Sequence, residues 1–472
     1  MAKHGVFVSQ KATGVTSPIV AESGIPFVIG AAPVQSAENP AAAGKPVLVT
    51  GWNDFVEQFG YSDDWSSYNL CEFAYSHFQL YAMQPAIFCN LLDPATHKSA
   101  VAAADKTVAD HRIKLPGEAI NDAALVVKAA GGAGSAYVKG TDYSAYYDGG
   151  ALVIELLSAG ACYSAASLSV AYNAVTPASI NASAVATGMQ SIDLCMAGLG
   201  VIPDLIVAPG YSTDTSVAAL MATKAAELNG VFECKALIDL PTGTVTSYSG
   251  VAAAKASANL VDRNEILCWP KLKLGDKTFF MSTQLAGLMA QVDTDNDGCP
   301  YESPSNKNFK MDGLVLADGT EVILTKAQAD VVVNAGVVTA LNFLASGWVA
   351  WGNYTACYPG NADVKDNLIP VSRMFGWIGN TLVKTFWAKL DKPMNRRLID
   401  TVIDTTNIWL NGLVGQGKLL GGRAEYSSDE NPVTDLMAGI IRVHLYLTPP
   451  SPAQEIDFVL EYDVNYVTAA LS

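Results

Sequence analysis

Charged residues are scarce in this chain of 472 residues. Only 16% of the residues are charged, whereas 50% are hydrophobic, so the chain can bury a sizeable core. The net charge of −16 disfavours nucleic acid or an anionic membrane as the main partner. No apolar run approaches the roughly 20 residues that span a bilayer, and the N-terminal residues lack the apolar core of a signal peptide. The composition therefore predicts no membrane insertion.

Closely spaced cysteine pairs are also missing. The eight cysteines are scattered along the chain, and no two of them form a C-x-x-C pair. This spacing argues against a zinc site and against a disulfide framework. We therefore expect buried, reduced thiols in a cytosol.

The sequence lacks the usual signatures of nucleophilic catalysis. It contains no G-x-S-x-G elbow, and its five histidines show no recognisable pattern with Ser or Cys. His77 falls on the apolar face of a predicted helix, "LCEFAYSHFQLY", and is predicted to be a core histidine rather than a ligand or base. We predict no catalytic residue, although a triad assembled only in the fold stays open.

An acidic segment resembles a calcium-binding loop without completing it. Asp293, Asp295, Asp297 and Gly298 have the spacing of the first half of an EF-hand loop. Position 12 of that loop requires a bidentate Glu, and Pro304 stands there instead. The sequence therefore favours a turn rich in Asp and Gly over a metal site.

A glycine-rich segment resembles a phosphate-binding P-loop in the same incomplete way. In "GLVGQGKL", Leu419 follows Lys418, whereas the motif requires Ser or Thr at that position to hold magnesium. A predicted helix precedes the segment, where the motif requires a strand. The residues fit the end of a helix with a lysine near its C-terminal dipole, so we predict no nucleotide and no other cofactor.

Three patterns of secondary structure follow one another along the chain. Residues 26–93 contain apolar strands and an amphipathic helix, which indicates a mixed α/β unit. Residues 105–180 contain short β-branched segments between glycine-rich turns and predict a small β-sandwich. From residue 204 onwards, strands and helices alternate, which predicts a parallel sheet covered by helices.

Both ends of the chain carry isolated strand signals. Residues 5–9 form one, and residues 455–462 form the other after the proline-rich "TPPSP". In the second, Ile456, Phe458, Leu460 and Tyr462 share one face, while Glu455, Asp457, Glu461 and Asp463 share the other. A lone strand is unstable in water, so each must join a sheet. Periodicity alone slightly favours the chain's own sheet over that of a neighbouring subunit.

Several segments occur in an order that one known family shares. The first are "HGVFVSQKATGVTSPIVAESGIPFVIGAAP" and "PVLVTGWNDFVEQFGYSDDWSSYNLCEFAYSHF". They are followed by "LGVIPDLIVAPGYS", "YESPSNK", "GWVAWGNYTA" and "LTPPSPAQEIDFVLEYD". Together they resemble the tail sheath proteins of contractile phages and phage-like injection machines, over residues 4–466. The run "WGNYT" and the acidic terminal strand are the most specific parts.

The resemblance implies an α+β multidomain fold. Its expected parts are an α/β, subtilisin-like middle domain, an inserted β-sandwich domain, and a mixed α/β sheath domain with extended terminal arms. The corresponding ranges are an N-terminal arm at 1–25, the sheath domain at 26–100 and 351–450, the β-sandwich at 101–185, the middle domain at 186–350 and a C-terminal arm at 451–472.

The resemblance also implies a structural function. The chain would form stacked hexameric rings around an inner tail tube and contract to drive the tube through a target envelope. Strand exchange between subunits then becomes the favoured interpretation of the chain ends. Its expected residues are Val6, Val8, Ile456, Phe458, Leu460 and Tyr462.

Further partners and a location follow from the same resemblance. The partners are copies of the chain itself, the inner tube protein, and baseplate and tail terminator proteins. The location is the virion tail or a phage-like particle, assembled in the cytoplasm of a bacterial host. Lys392, Arg396 and Arg397 are candidates for contacting the tube, with a solvated helix face as an equal alternative. An α/β hydrolase and a binding module whose ends fold back on itself remain competing functions.

Overall fold

The first part of the chain builds one side of a mostly parallel sheet. The structure is a computed structural model that describes residues 17–344 and 347–471. The elements of this part are β1 (Pro26–Gly30), β2 (Pro46–Val49), α1 (Trp52–Phe59), α2 (Asn69–Ala74) and β3 (Ala86–Asn90). β3 pairs parallel with β1 and antiparallel with the edge strand β2. Every residue of β1 and β3 is buried, as expected for strands covered on both faces.

The next part is all-β and has its own core. Its strands are β4 (Lys98–Thr107), β5 (Arg112–Leu115), β6 (Ala119–Ile120), β7 (Val126–Ala129), β8 (Tyr143–Asp148), β9 (Ala151–Leu156) and β10 (Ser167–Val175). They form two antiparallel sheets: β6 and β7 join β4 and β10 in one, and β5, β9 and β8 form the other. Side chains from both sheets, including Ile113, Leu152 and Leu168, form one hydrophobic cluster.

The third part alternates helices with strands. Its first elements are α3 (Ala182–Gly188), α4 (Leu194–Leu199), β11 (Leu205–Val207), α5 (Thr215–Ala226), β12 (Lys235–Asp239), α6 (Val251–Ser257) and β13 (Glu265–Cys268). They are followed by β14 (Lys271–Leu274), β15 (Lys277–Phe279), α7 (Met281–Asp295), β16 (Gly313–Val315), β17 (Glu321–Val322), α8 (Lys326–Asn334), β18 (Val337–Leu341) and β19 (Val349–Trp351). The strands β14 to β17 form a small antiparallel sheet.

One eight-stranded sheet joins the first and third parts, in the order β19-β18-β13-β12-β11-β1-β3-β2. β1 pairs parallel with β11, and Pro26 lies opposite Leu205. The structure thus differs from the predicted division, which assigned residues 26–100 and 186–350 to separate domains. The physical reason is that β1 is apolar on both faces and needs a neighbour on each side, while residues 98–175 separate its two neighbours in sequence.

The last part packs two long helices against a β-hairpin. Its elements are α9 (Val364–Asn367), α10 (Ile369–Phe386), α11 (Arg396–Gly415), β20 (Gly421–Glu425), α12 (Val433–Met437), β21 (His444–Thr448) and α13 (Val464–Leu471). Met374, Trp377, Leu410 and Leu413 form a core with Ala21 from the N-terminal part. None of the described helices has both the length and the apolar character needed to cross a bilayer.

Candidate assembly surfaces

The predicted C-terminal strand is exposed and unpaired. The structure assigns neither strand nor helix to residues 449–463. The exposed fractions are 71% for Ile456, 86% for Phe458, 94% for Leu460 and 77% for Tyr462. Burial of a large apolar side chain is worth about 1.5–3 kcal/mol, so burying these four side chains against another surface would be favourable. The predicted strand at residues 5–9, with Val6 and Val8, lies outside the described residues.

β20 and β21 form a hairpin with two different faces. Their register runs from Gly421 opposite Thr448 to Glu425 opposite His444. The buried Ala424 and half-buried Leu447 belong to the face that packs toward α11. On the other face, the Arg423 guanidinium lies 3.9 Å from the centre of the exposed Tyr446 ring. Two strands alone are only marginally stable, and packing against α11 supports this hairpin.

Asn407 leaves only one edge of the hairpin open. Its Nδ2 donates to the carbonyl oxygen of Ala424 at 3.0 Å, and its Oδ1 accepts from the Ala424 N–H at 2.7 Å. The side chain of Asn407, which lies on α11, therefore occupies the outer edge of β20 at Ala424. Within the described ranges, β21 pairs with β20 alone, so its outer edge can accept another strand.

The three predicted tube-contact residues lie together where α11 begins. Lys392 is exposed in the connection from α10, and Arg396 and Arg397 are exposed in the first turn of α11. The Arg396 Nε donates to Asp400 Oδ1 at 2.8 Å, and an exposed pair of this kind contributes little stability. Their role in contacting a tube stays a prediction.

The acidic segment that resembled a calcium loop forms internal ion pairs. α7 continues through Asp295, so the first two aspartates lie on a helix rather than in a loop. Asp293 is fully buried and accepts from Arg373 Nη1 at 2.9 Å. Arg373 Nη2 also donates to Asp204 Oδ2 at 2.8 Å. Among the described residues, no cluster of potential metal ligands occurs.

The pKa values of Asp204 and Arg373 in this cluster are shifted by burial and by the opposite charges. Burial raises the pKa of Asp204, and the neighbouring Arg373 opposes that rise. Burial would lower the pKa of Arg373, yet the two carboxylates raise it above its usual value, so the guanidinium stays charged. Sequence reasoning missed Arg373, and its one available signal was a lone arginine in the otherwise uncharged start of α10.

Lys418, the lysine of the incomplete P-loop, contacts the same acidic segment. Its Nζ lies 3.1 Å from Asp297 Oδ2, and the segment follows the end of α11, as predicted. The side chain is thus already paired within the chain. Two motifs that the sequence analysis set aside form one ion pair that joins the third part of the chain to the last.

His77 is buried in the aromatic core, as predicted, but neither ring nitrogen has a hydrogen-bond partner among the described residues, so it is not the satisfied histidine that was expected. Its ring lies 5.3 Å from that of Phe73 and 5.6 Å from that of Phe78. Burial lowers the pKa of His77 to about 4, so the imidazole is neutral at pH 7. A neutral, enclosed ring suits a packing role.

The chain fills the crevice where parallel α/β sheets usually bind ligands. That crevice lies at the carboxyl ends of the strands where the strand order reverses, here between β1 and β11. Asn69 Oδ1 accepts from the Ala31 N–H at 2.8 Å, and its Nδ2 donates to Pro209 O at 2.6 Å. A side chain at Gly30 would collide with Asn69, so glycine is needed for this close approach.

A buried carboxylate with two serines lies further along the same sheet edge. Asp239 accepts from the Ser282 N–H at 3.0 Å and from Ser212 Oγ at 3.3 Å. Burial raises its pKa to about 6. None of the described histidines takes part, and the carboxylate instead satisfies the first turn of α7. This arrangement is a helix cap and lacks the base that a Ser/His/Asp triad requires.

The curated relatives and the structural neighbours of this chain belong to one class of protein. No protein-family model matches the chain. Curated relatives over most of its length are tail sheath proteins, and its structural neighbours are sheaths of contractile injection systems. The predicted resemblance to contractile tail sheath proteins is therefore confirmed, and it supports a structural sheath subunit.

Particular relatives can be named for this class. The tail sheath protein of Burkholderia phage BcepMu is 27% identical, over 98% of this chain and 97% of the relative. The tail sheath protein of Escherichia phage P2 is 21% identical, over 61% of this chain and 71% of the relative.

Two solved structures show a similar fold. They are the sheath of an extracellular contractile injection system (PVC) and the helical sheath of the anti-feeding prophage, both in the contracted state. Each has a TM-score of 0.58 at 14% identity, covering 98% of this chain and 100% of the other. At this identity the likeness concerns the fold. The mixed α/β architecture with several sheets agrees with it.

Proposed function

We propose that the chain is the subunit of a contractile tail sheath, held to its neighbours by exchanged β-strands. The observation that carries this proposal is the exposed C-terminal segment with four unburied apolar side chains in strand alternation. Such a segment gains both hydrogen bonds and apolar burial when it adds to the edge of another sheet. The sheath relatives support the same interpretation.

The outer edge of β21 in a neighbouring copy is the acceptor in this proposal. Alternation of side chains assigns the faces: the apolar side of the arm extends the face of Leu445 and Leu447, and the acidic side extends that of Arg423 and Tyr446. Four to six backbone hydrogen bonds at about 1 kcal/mol each and the burial of Phe458 and Leu460 favour this pairing, and the entropy lost on ordering the arm takes back part of the gain.

The segment between β21 and the arm favours a neighbour over the chain's own hairpin. Pro449, Pro450 and Pro452 follow β21 directly. Proline restricts the backbone to extended conformations, which resist the tight return that pairing with the chain's own β21 requires. An exchanged strand makes a head-to-tail contact, and repetition of that contact builds rings or helices.

Contraction follows from the difference between flexible arms and rigid bodies. The bodies rotate into a state with more contacts while the exchanged strands stay paired. The extended state is then a kinetic trap held by an inner tube and a baseplate. The proposal further includes hexameric rings, a tail terminator as partner and assembly in the host cytoplasm. It also includes a contact to the tube by Lys392, Arg396 and Arg397.

Truncation of the chain tests this function. A variant that ends at Gln454 lacks the arm, and a control that ends at Asp463 retains it without α13. Negative-stain microscopy of concentrated protein should show tubes for the control and none for the shorter variant, while both keep the thermal unfolding of the body. Normal tubes from the shorter variant would overturn the proposal. A compact monomer from both, even when concentrated, would favour the binding module with ends folded back.

A further inference from the structure

A segment near the N-terminus runs along α10. This segment, residues 19–25, is named the strap here. The Ile19 N–H donates to Thr385 Oγ1 at 2.9 Å, and the Ala21 N–H donates to Thr381 Oγ1 at 3.0 Å. The Trp377 Nε1–H donates to the Ala21 carbonyl oxygen at 2.9 Å, and Arg373 Nη2 donates to Ser23 Oγ at 3.4 Å. The strap thus runs antiparallel to the helix.

The contacts on the helix side follow the helical repeat. Arg373, Trp377, Thr381 and Thr385 are four residues apart, so they share one helix face at steps of about 6 Å. Thr385 meets Ile19, Thr381 and Trp377 both meet Ala21, and Arg373 meets Ser23. The contacts at Ile19 and Ala21 are to backbone groups of the strap, and the contact at Ser23 is to its hydroxyl.

The strap is also fastened at its inner end. The Ile25 N–H donates to Asp204 Oδ1 at 2.8 Å, and the same carboxylate accepts from Arg373. A side chain at Gly24 would meet the Cα of Ala290 in α7 at 2.9 Å, so the strap lies close against that helix. The Arg373 cluster therefore connects the strap to α10, to α7 and to the eight-stranded sheet.

Among the residues that the structure describes, the C-terminal arm has no comparable row of hydrogen bonds to a helix. The C-terminal arm leaves β21 through Pro449 and Pro450, and its side chains from Ile456 to Tyr462 are exposed. The two ends of the chain thus leave the body differently: one is bound along a helix, and the other is free within a few residues of its last strand. A force on the N-terminal arm and a force on the C-terminal arm would therefore be transmitted to the body of the subunit through different contacts.

We propose that the strap is the anchor through which the N-terminal arm pulls on the body of the subunit. The inference rests on the proposed function, because it takes residues 5–9 as paired with a neighbour. About ten residues separate Val8 from Ile19 in the sequence, and a tether of that length can reach at most roughly 33–36 Å. Release of the strap would lengthen that tether and uncouple rotation of the body from its neighbour.

Replacement of the two threonines tests the anchor in the full chain. Thr381→Val with Thr385→Val keeps the shape of both side chains and removes both acceptors. The matched control, Thr381→Ser with Thr385→Ser, keeps the hydroxyls. Amide exchange at Ile19 and Ala21 in the unassembled subunit should accelerate about tenfold in the valine variant and change little in the serine control. Thr385→Val alone serves if the double variant does not fold.

Assembled tubes supply the second readout. Tubes of the valine variant should fragment at lower shear than tubes of the serine control, measured by their length in micrographs. Unchanged exchange at Ile19 and Ala21 would overturn the anchor. Faster exchange with equally robust tubes would overturn its role in transmitting pull. Normal tubes from the chain that ends at Gln454 would instead contradict strand exchange and leave the exchange result interpretable.

Discussion

Arg373 shows how a single buried charge can hold distant parts of a chain together. It is 5% exposed and contacts the carboxylates of Asp204 and Asp293, which come from different parts of the sequence. A buried ion pair contributes little compared with a well-packed apolar group of the same size. Removal of one partner, however, leaves the other charge buried and unpaired.

Arg373→Met should therefore destabilise the protein strongly. We expect a loss of about 3–5 kcal/mol in the free energy of unfolding, measured by urea denaturation, because two carboxylates lose their cation. Arg396→Met removes an exposed pair with Asp400 and should cost less than about 0.5 kcal/mol. Equal losses for the two variants would contradict the role assigned to the buried cluster.

Glu72 makes the stability of the fold depend on pH, and its shifted pKa fixes the sign of that dependence. Burial raises its pKa to about 8 in the folded chain, above its ordinary value of 4.5. The folded state therefore keeps a proton that the unfolded state releases, and this contribution to stability is lost as the pH rises from about 4.5 through 8. Asp239 and Glu265, with pKa values raised by burial to about 6 and about 7, act in the same direction.

Glu72→Gln should flatten this dependence. Between pH 5 and pH 8, the free energy of unfolding should fall less in the variant than in the parent chain, by on the order of 1–3 kcal/mol. The amide oxygen of Gln can still accept from the Phe280 N–H, which Glu72 holds at 2.6 Å. Glu321→Gln on the surface is the control. Parallel pH profiles for Glu72→Gln and the parent would refute the assignment.

At the scale of elements, the C-terminal arm and β21 are complementary. The arm presents apolar side chains at every second position and has no sheet of its own in the described part of the chain. Within the described ranges β21 pairs with β20 alone and so presents an open outer edge, whereas Asn407 occupies the outer edge of β20. The two features explain each other when they come from adjacent copies.

Substitutions at two neighbouring positions on the arm can distinguish strand pairing from nonspecific hydrophobic association. Leu460 and Val459 are both almost fully exposed but belong to opposite faces. Leu460→Asp should abolish tubes, because it places a charge on the side that packs toward α11, whereas Val459→Asp extends the acidic face and should be tolerated. Neither change should move the free energy of unfolding of the unassembled subunit by more than about 0.5 kcal/mol. Identical polymerisation of both variants would exclude a faced strand.

At the scale of the whole molecule, the chain has a net charge of −16, whereas the exposed start of α11 carries Arg396 and Arg397. Arg396→Glu with Arg397→Glu reverses that end and should reduce assembly of extended sheath around tube, measured by co-sedimentation. Lys106→Glu with Lys114→Glu makes the same change of charge on the all-β part and should have little effect. Unchanged assembly with the first variant would remove these arginines from the tube contact.

Patterns of local sequence predicted much of the architecture. The long helix that the apolar spacing indicated is α11, and the strand and helix alternation after residue 204 occurs in the sheet. Pairing over long range could not be predicted, since nothing local in β1 indicates that Leu205, far along the chain, lies opposite Pro26. The helix α10 was not predicted, although Val371, Met374, Trp377 and Ile378 recur at helical spacing and are buried on one face.

The sequence by itself determined the two faces of residues 455–463, because the alternation of apolar and acidic residues depends only on the period of a strand. It also excluded a complete calcium loop and a complete P-loop, since each lacks a required residue. Only the tertiary structure decided that the aspartates of the first motif bind Arg373 and Lys418, that Asn407 closes one hairpin edge, and that α10 holds the strap. Those contacts join residues between 17 and 366 positions apart in the sequence, and their partners are selected by packing rather than by any local pattern.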